Sequence, residues 1–550
     1  MPANAPLGLG RSATKRGALL RDGPLALLLL VAYGWLFVFS LPINNPNELV
    51  RIHAGRALLE QHRWSFAERR FVHGRFADAG NDWGYVNDKA LVCDDPAQKP
   101  PSCAGRLYAA KAPAASVLAV PVLGVLKLFG PLTKTRAVFA LRWVFCILPT
   151  VVFWLFLRRY LVRVDVPEET ALAVTLCGAL GSLSLTYGQM FAGHQLAALA
   201  LGAAFLCGFW GAAGFGRELA VGFFAALAVA LEYPSAPAAA ILVAGVVLHR
   251  RRGLTGMARG LTGMALGAVP WALVLVQFHW SAFGKPWSTP YSHLENPAFV
   301  RDIAPGFLGI SLPTLERVYG SLFSPYLGLF FWAPWMLLLF AAPWTLLGAQ
   351  TRTAHAGAPD GHSSRYPALT AVVICGYYLV FQITHALWRS GWSVGPRYIT
   401  PIVPFAAIAI ALGAAGRGGR SFAKPFDVWL RGAGAAAIVA TGLASSVCQG
   451  FPLEVENGLR EVVWPLLSHG FAARNPLQLL GVPGLWSALP YFAALAVAVA
   501  VLLRKSLPAV ALFIVLVAVQ WLAPRSAERS AVHFLESAWE PNPPPGARPF

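Results

Sequence analysis

The sequence predicts an all-α polytopic membrane protein with about 13 transmembrane helices and a large first outer loop carrying interfacial helices. Three observations predict it. Of the 550 residues, 56% are hydrophobic and 13% are charged, against roughly 25% charged in an ordinary soluble domain. So few charges cannot coat the surface of several soluble domains. The apolar residues also gather in runs of about 18 or more, long enough to cross a hydrocarbon core of about 30 Å. The third observation is where the charge sits. The net charge of +19 does not point to nucleic acid, because the basic residues form short clusters between the apolar runs. Soluble enzymes, secreted modules and β-barrels are excluded.

Each element follows in order. Arg11, Lys15, Arg16 and Arg21 precede an apolar run from Pro24 to Pro42. That run is long and no small-residue cleavage site follows it, so it reads as a first span with its N-terminus in the cytoplasm, not as a signal peptide. The polar stretch 43–136 contains one apolar piece, Ala112 to Phe129. Later spans are expected at 137–157, 170–187, 194–213, 219–232, 234–249, 262–283, 326–349, 367–387, 398–416, 432–449, 490–503 and 506–523. If 112–129 lies on the membrane, the loops holding Arg158, Arg159, Arg163, Arg250, Arg259, Arg431 and Lys505 fall in the cytoplasm. The positive-inside rule therefore favours a surface-lying helix there, and Pro113 and Pro121 agree. The expected organisation is a cytoplasmic segment 1–23, one membrane domain 24–523 and an outer tail 524–550. The tail holds Pro541, Pro543, Pro544 and Pro545 and reads as disordered. The polar segments 43–136, 284–325, 388–397 and 450–489 then share the outer side of the membrane.

Cysteine use follows this division. Cys146, Cys177, Cys207, Cys375 and Cys448 lie in or at the ends of spans, where a thiol behaves as a small hydrophobe. Cys93 and Cys103 lie in the first outer loop with nine residues between them. An oxidising compartment favours a disulfide; a metal site is the alternative, with no nearby cysteine or histidine cluster to complete it.

Chemistry on a membrane-embedded substrate needs polar groups at span ends, and here they collect on the outer side. In Asn45-Pro46-Asn47-Glu48, the asparagine, proline and glutamate fit a capping box; the same carboxylate at the membrane surface is also a candidate base. Tyr108-Ala-Ala-Lys111-Ala-Pro113 opens the surface helix. Lys111 is either a phosphate-holding point charge or an interfacial lysine reaching toward headgroups, and Arg51 and Arg106 are weaker candidates of the same kind. His194 and Gln195 follow an outer turn, where His194 could serve as base, donor or metal ligand, or as a satisfied helix-end histidine. Glu232-Tyr233-Pro234 joins two apolar runs with almost no loop, where a carboxylate is costly unless it is paired or lines a cavity. Arg397 and Tyr398 close the segment beginning at Trp388. Its aromatics fit a membrane-interface belt, while a guanidinium there can bind phosphate bidentately. No P-loop, Gly-x-Ser-x-Gly, HExxH or CxxC motif is present.

At these residues the chain resembles the integral-membrane glycosyltransferases of the C-type superfamily, nearest to family 39 proteins, relatives of protein O-mannosyltransferases and the lipid A aminoarabinose transferase. Asn45 to Glu48 sits at the family's acidic motif and Tyr108 to Pro113 at its Lys-Pro motif. Glu232-Tyr233-Pro234, Phe283-Gly284-Lys285-Pro286, Phe323-Ser324-Pro325-Tyr326 and Gly395-Pro396-Arg397-Tyr398 follow in order. Two positions depart from the pattern: an asparagine precedes Glu48, and His194 and Gln195 stand where many members have an aspartate. The resemblance implies an inverting sugar transfer from a polyprenyl-phosphate donor to a glycan, lipid or protein acceptor at the outer face. Glu48 would be the base, with Lys111, Arg397 and Arg51 on the donor phosphate. Tyr108, His194, Gln195, Glu232, Tyr233 and Tyr398 would contact substrate, and Trp83, Trp287 and Trp388 would offer sugar-stacking surfaces. No cofactor is required, and a divalent metal is compatible with the sequence but not demanded by it. The rival readings are a flippase for lipid-linked sugars and a non-catalytic assembly partner.

Overall fold

The computed structural model describes residues 10–39, 45–84, 86–212, 214–250, 253–306, 309–342, 365–415, 424–526 and 535–536. The fold is mostly helical, and helices occupy most of the apolar runs. Among the described residues, four helices are long and apolar enough to cross a membrane: Lys134–Arg163, Leu254–Phe283, Arg365–Thr384 and Lys424–Val447. Shorter apolar helices include Gly193–Phe209, Ile402–Ala415, Leu489–Leu503 and Leu507–Leu522. The outward side of Leu254–Phe283 exposes Leu261, Leu266, Leu273 and Trp280. A soluble exterior rarely carries so continuous an apolar strip. The expected tail 524–550 lies outside the described residues, apart from 524–526 and 535–536.

Helix α1 runs Gly10–Gly34, so it begins before and ends sooner than the expected first span. It stops where Gly34 lies against the ring of Trp143, which a Cβ would overlap. A second departure is at 170–187, expected as one span. The chain instead forms Glu168–Leu180 and a short helix Leu183–Tyr187, broken at Gly181 and Ser182. The break frees helix-end carbonyls far from water, and such groups must find partners. Tyr33 donates to Ala179 O at 2.5 Å, Thr441 to Leu180 O at 2.6 Å and Trp335 to Gly181 O at 2.7 Å. Ser182 then caps the new helix by accepting from Ser184 N at 3.0 Å. A third departure is at 326–349. A short helix Leu329–Trp332 and a 3₁₀ segment Pro334–Phe340 stand there, and 343–350 lie outside the described residues. Pro334 has no N–H to continue a helix, and its carbonyl accepts from Trp429 at 3.0 Å.

The expectation of an all-α chain needs correcting in the first outer loop. Helix α2, Pro46–Gln61, is followed by four strands: β1 Ala67–Val72, β2 Arg75–Ala79, β3 Lys89–Cys93 and β4 Gly105–Ala109. They form an antiparallel sheet in the order β2-β1-β4-β3. Cys93 and Cys103 are disulfide-bonded, with Cα atoms 5.7 Å apart, and bracket the β3–β4 connection. The register places Lys89 opposite Ala109. Helix α3, Ala114–Leu128, occupies the expected surface segment and packs along α2. Gly55 permits that approach, since a Cβ there would lie 2.8 Å from Ser116 O. The sheet is tied to the later outer loop by Arg69–Glu295 at 2.6 Å and by an Ala90–Leu294 bridge.

Candidate active site

A cavity of about 910 Å³ lies where the first outer loop, the 289–310 loop and several helix ends meet. The β3–β4 register builds one wall. Ala110 N donates to Asp88 O at 3.0 Å, which brings residues 88 and 111 side by side. Lys111 Nζ lies 3.3 Å from Asp88 Oδ2, and each side chain keeps 13% of its exposure. Both line the cavity.

The second wall is made where Gly193–Phe209 begins and Phe215–Leu231 ends. Glu232 Oε1 accepts from Arg51 Nη2 at 2.5 Å and lies 3.6 Å from His194 Nδ1. Arg51 has no side-chain exposure and also donates to Asn47 O at 2.7 Å. Gly193 makes this closure feasible, because a Cβ there would overlap Glu232 Oε1. His194 Nε2 and Asn47 Nδ2 are buried without a hydrogen-bond partner, and both residues line the cavity. Buried polar atoms are nearly always paired, so these orphans mark where a ligand could supply hydrogen-bond partners.

The third wall comes from 385–398. Arg397 Nη1 donates weakly to Trp392 O at 3.4 Å, and its Nε has no partner. Among the described residues it has no carboxylate within ion-pair distance. Tyr398 stacks edge-on between His194 and His385, at 5.6 Å and 5.7 Å. Tyr233 OH bonds His279 Nε2 at 2.7 Å, and His279 Nδ1 lies 3.0 Å from Pro286 O. A carbonyl only accepts, so His279 carries its proton on Nδ1 and Tyr233 donates. The charges of Lys111, Arg51 and Arg397 all reach His194. The remaining lining is largely apolar, including Leu294, Phe299, Ile303, Ile310, Val380 and Phe381.

The expected site residues therefore divide. Lys111, His194, Glu232, Tyr233, Arg397 and Tyr398 share the cavity. Glu48 does not. Asn45 caps α2, accepting from Asn47 N at 3.0 Å, but Glu48 does not complete the capping box. Its carboxylate takes Arg142 Nε at 2.8 Å and Nη2 at 2.7 Å, and Phe191 N at 2.7 Å. With 2% side-chain exposure, it is committed to holding α2 against the π-helical turn Arg142–Ile147. The carboxylate expected as the base thus lies outside the cavity and is engaged by Arg142. Arg51 sits behind the wall, so its expected phosphate contact is replaced by the Glu232 pair. Tyr108 packs on Phe283 at 5.7 Å. Gln195 donates to Thr150 at 3.2 Å and Ser184 at 3.1 Å; neither residue reaches the cavity. Of the tryptophans, Trp83 lies under Arg56 at 4.3 Å, Trp287 is exposed and Trp388 packs on Gly320. Trp392 lines the cavity instead.

Asp88, Asn47, His385 and Trp392 were not singled out by sequence. Asp88 had only a partial signal: a Cys93–Cys103 bond implies a hairpin, but the observed register pairs Cys93 with Gly105, and that two-residue offset is what brings residue 88 to 110 and 111. Among the described residues, no group of three or more His, Cys, Asp or Glu side chains is arranged to hold a metal ion.

No protein-family model and no curated protein sequence matches the chain. Among solved structures, it is similar to ArnT from Cupriavidus metallidurans in the apo state, at 17% identity and a TM-score of 0.44, over 93% of this chain and 76% of that one. The same protein bound to undecaprenyl phosphate gives 16% identity, the same coverage and 0.44. The archaeal oligosaccharyltransferase AglB from Archaeoglobus fulgidus, in complex with an inhibitory peptide and a dolichol-phosphate, gives 13% identity and 0.36, over 94% of this chain and 57% of that one. These likenesses are weak, and the site is read from its own side chains.

Proposed function

We propose that the protein is a multi-pass membrane glycosyltransferase of the C-type superfamily, moving a sugar from a polyprenyl-phosphate donor to an acceptor at the outer face of a bacterial inner membrane. One observation carries the reading: Lys111 and Arg397 share an otherwise largely apolar cavity with Asp88 and Glu232. Such a mixture suits a ligand that joins a phosphate to a hydrocarbon chain. Arg397 offers a guanidinium fork and Lys111 a mobile point charge. Both would stabilise the negative charge that develops on the departing phosphate oxygen. Asp88 is assigned as the base, because Glu48 and Glu232 are each held by a buried arginine. One carboxylate suffices for a direct, inverting displacement. Asn47 Nδ2, an unpaired donor, and His194 Nε2, an unpaired ring nitrogen, would orient the sugar or acceptor. The membrane organisation of about 13 spans, with N-terminus inside and C-terminus outside, belongs to the same proposal.

The test is transfer in liposomes. The purified protein is given a panel of polyprenyl-phosphate sugars and extracted envelope acceptors, and products are read by mass. Transfer of the sugar with release of polyprenyl phosphate is expected. ATP-independent movement of the donor between leaflets, with no product from any pairing, would replace the enzyme with a flippase.

A further inference from the structure

The ion pairs at the cavity differ in how firmly they are made. Glu232 is gripped by an arginine with no exposure, at 2.5 Å, behind a glycine that leaves no slack. Asp88 and Lys111 meet through one contact of 3.3 Å, with both side chains partly open to the cavity. Lysine is a point charge on a flexible stem and can turn to a new partner without rebuilding a planar fork. Arg397 shares the cavity and is close enough for the Asp88 charge to reach it, yet it has no carboxylate partner among the described residues. The cavity is therefore one anion short on its cationic side.

Resting on the lipid-phosphate reading above, we propose that Asp88–Lys111 is an exchangeable ion pair: the donor phosphate takes Lys111 from Asp88, and the carboxylate so released becomes the base that activates the acceptor. Arg397 draws the phosphate in, and Lys111 turns from a singly contacted carboxylate toward it. Asp88 loses its one contact to a cation, and its carboxylate oxygens are left free to accept a hydrogen bond from the acceptor. The acceptor hydroxyl or amine then gives its proton to Asp88. Its lone pair forms the new bond to the anomeric carbon, the bond from that carbon to the phosphate oxygen breaks, and the electron pair leaves with polyprenyl phosphate, held by Lys111 and Arg397. When the product lipid departs, Asp88 gives its proton to water and Lys111 returns to the carboxylate. Because the phosphate frees Asp88, the donor binds before the acceptor is activated.

The experiment measures the affinity of undecaprenyl phosphate for the full chain in nanodiscs. Four proteins are compared: wild type, Asp88→Asn, Lys111→Gln and the double variant. Because Asp88 competes with the phosphate for Lys111, Asp88→Asn should tighten binding about fivefold to tenfold while abolishing transfer. In the Lys111→Gln background the same change should move affinity by less than about twofold, since there is no lysine to release. Unchanged or weakened binding in Asp88→Asn overturns the exchange. So does an equal tightening in both backgrounds, which would be a general field effect. If the wild type does not bind the lipid at all, the lipid-phosphate reading itself fails. Asp88→Ser takes the place of the asparagine variant if that one does not fold.

Discussion

Two of the carboxylates in the first outer loop, Glu48 and Asp88, have cation partners that look alike on paper and behave differently in place. Glu48–Arg142 is bidentate, with 2% and 3% side-chain exposure, and the Phe191 amide adds a further hydrogen bond. Asp88–Lys111 has a single contact and an open side. A carboxylate becomes available for chemistry through what is left unsatisfied around it. Glu48 has no unsatisfied side and joins α2 to the helix Lys134–Arg163. Asp88 faces a cavity in which Asn47 Nδ2, His194 Nε2 and Arg397 Nε have no partner.

Substitution should separate the two. The largest expected effect is on transfer by Asp88→Asn, a fall of about 10²–10⁴-fold with a thermal midpoint close to wild type. Glu48→Gln should do the reverse in kind. It leaves Arg142 buried without a counter-charge, a loss of about 3–5 kcal/mol of stability, visible as a lower melting temperature in detergent. Transfer per folded molecule should survive in part. If Glu48→Gln melts like wild type and is inactive, the two roles have been assigned the wrong way round.

Gly193→Ala sharpens the comparison on the second wall. The added methyl has to push Glu232 or Arg51 aside, at a cost of about 1–3 kcal/mol. Activity should fall more than phosphate binding does, because Lys111 and Arg397 are untouched. A variant with normal activity would mean that the Glu232–Arg51 closure does not serve the cavity.

The smallest effect concerns His53, on the same helix as Glu48. Burial first, then the Lys134 and Arg56 charges, lower its pKa from the ordinary 6.5 to about 3, and Asn81 Nδ2 lies 2.7 Å from its Nδ1. A group whose folded pKa is depressed lends stability above its unfolded value. That contribution should be lost progressively as pH falls from about 6.5 toward about 3. The melting temperature should therefore drop between pH 7 and 5, and less steeply in His53→Asn. An identical slope in both proteins would remove His53 as the cause.

How much was legible in the sequence follows from which forces are local. Apolar runs placed most of the helices, because burial in hydrocarbon or in the core acts on every residue of a run. The break at Gly181 and Ser182 was not legible, since it depends on Tyr33, Thr441 and Trp335 arriving from elsewhere to satisfy freed carbonyls. The sheet was missed because β1, Ala-Glu-Arg-Arg-Phe-Val, has no alternating apolar pattern; its stability comes from pairing and from Arg69 and Glu295. Six of the expected site residues met at one cavity because each sits at the end of an apolar run. The pairing of Glu48 with Arg142 was not legible, because Arg142 comes from a helix nearly a hundred residues later.

The most direct measurement is a structure of the protein with undecaprenyl phosphate bound. The account predicts the phosphate between Lys111 and Arg397, with Lys111 turned away from Asp88, the hydrocarbon along Phe299, Ile303 and Phe381, and Glu48 still on Arg142. A phosphate bound at Arg142 with Glu48 displaced, or lipid bound outside the cavity with Asp88 and Lys111 still paired, would contradict it.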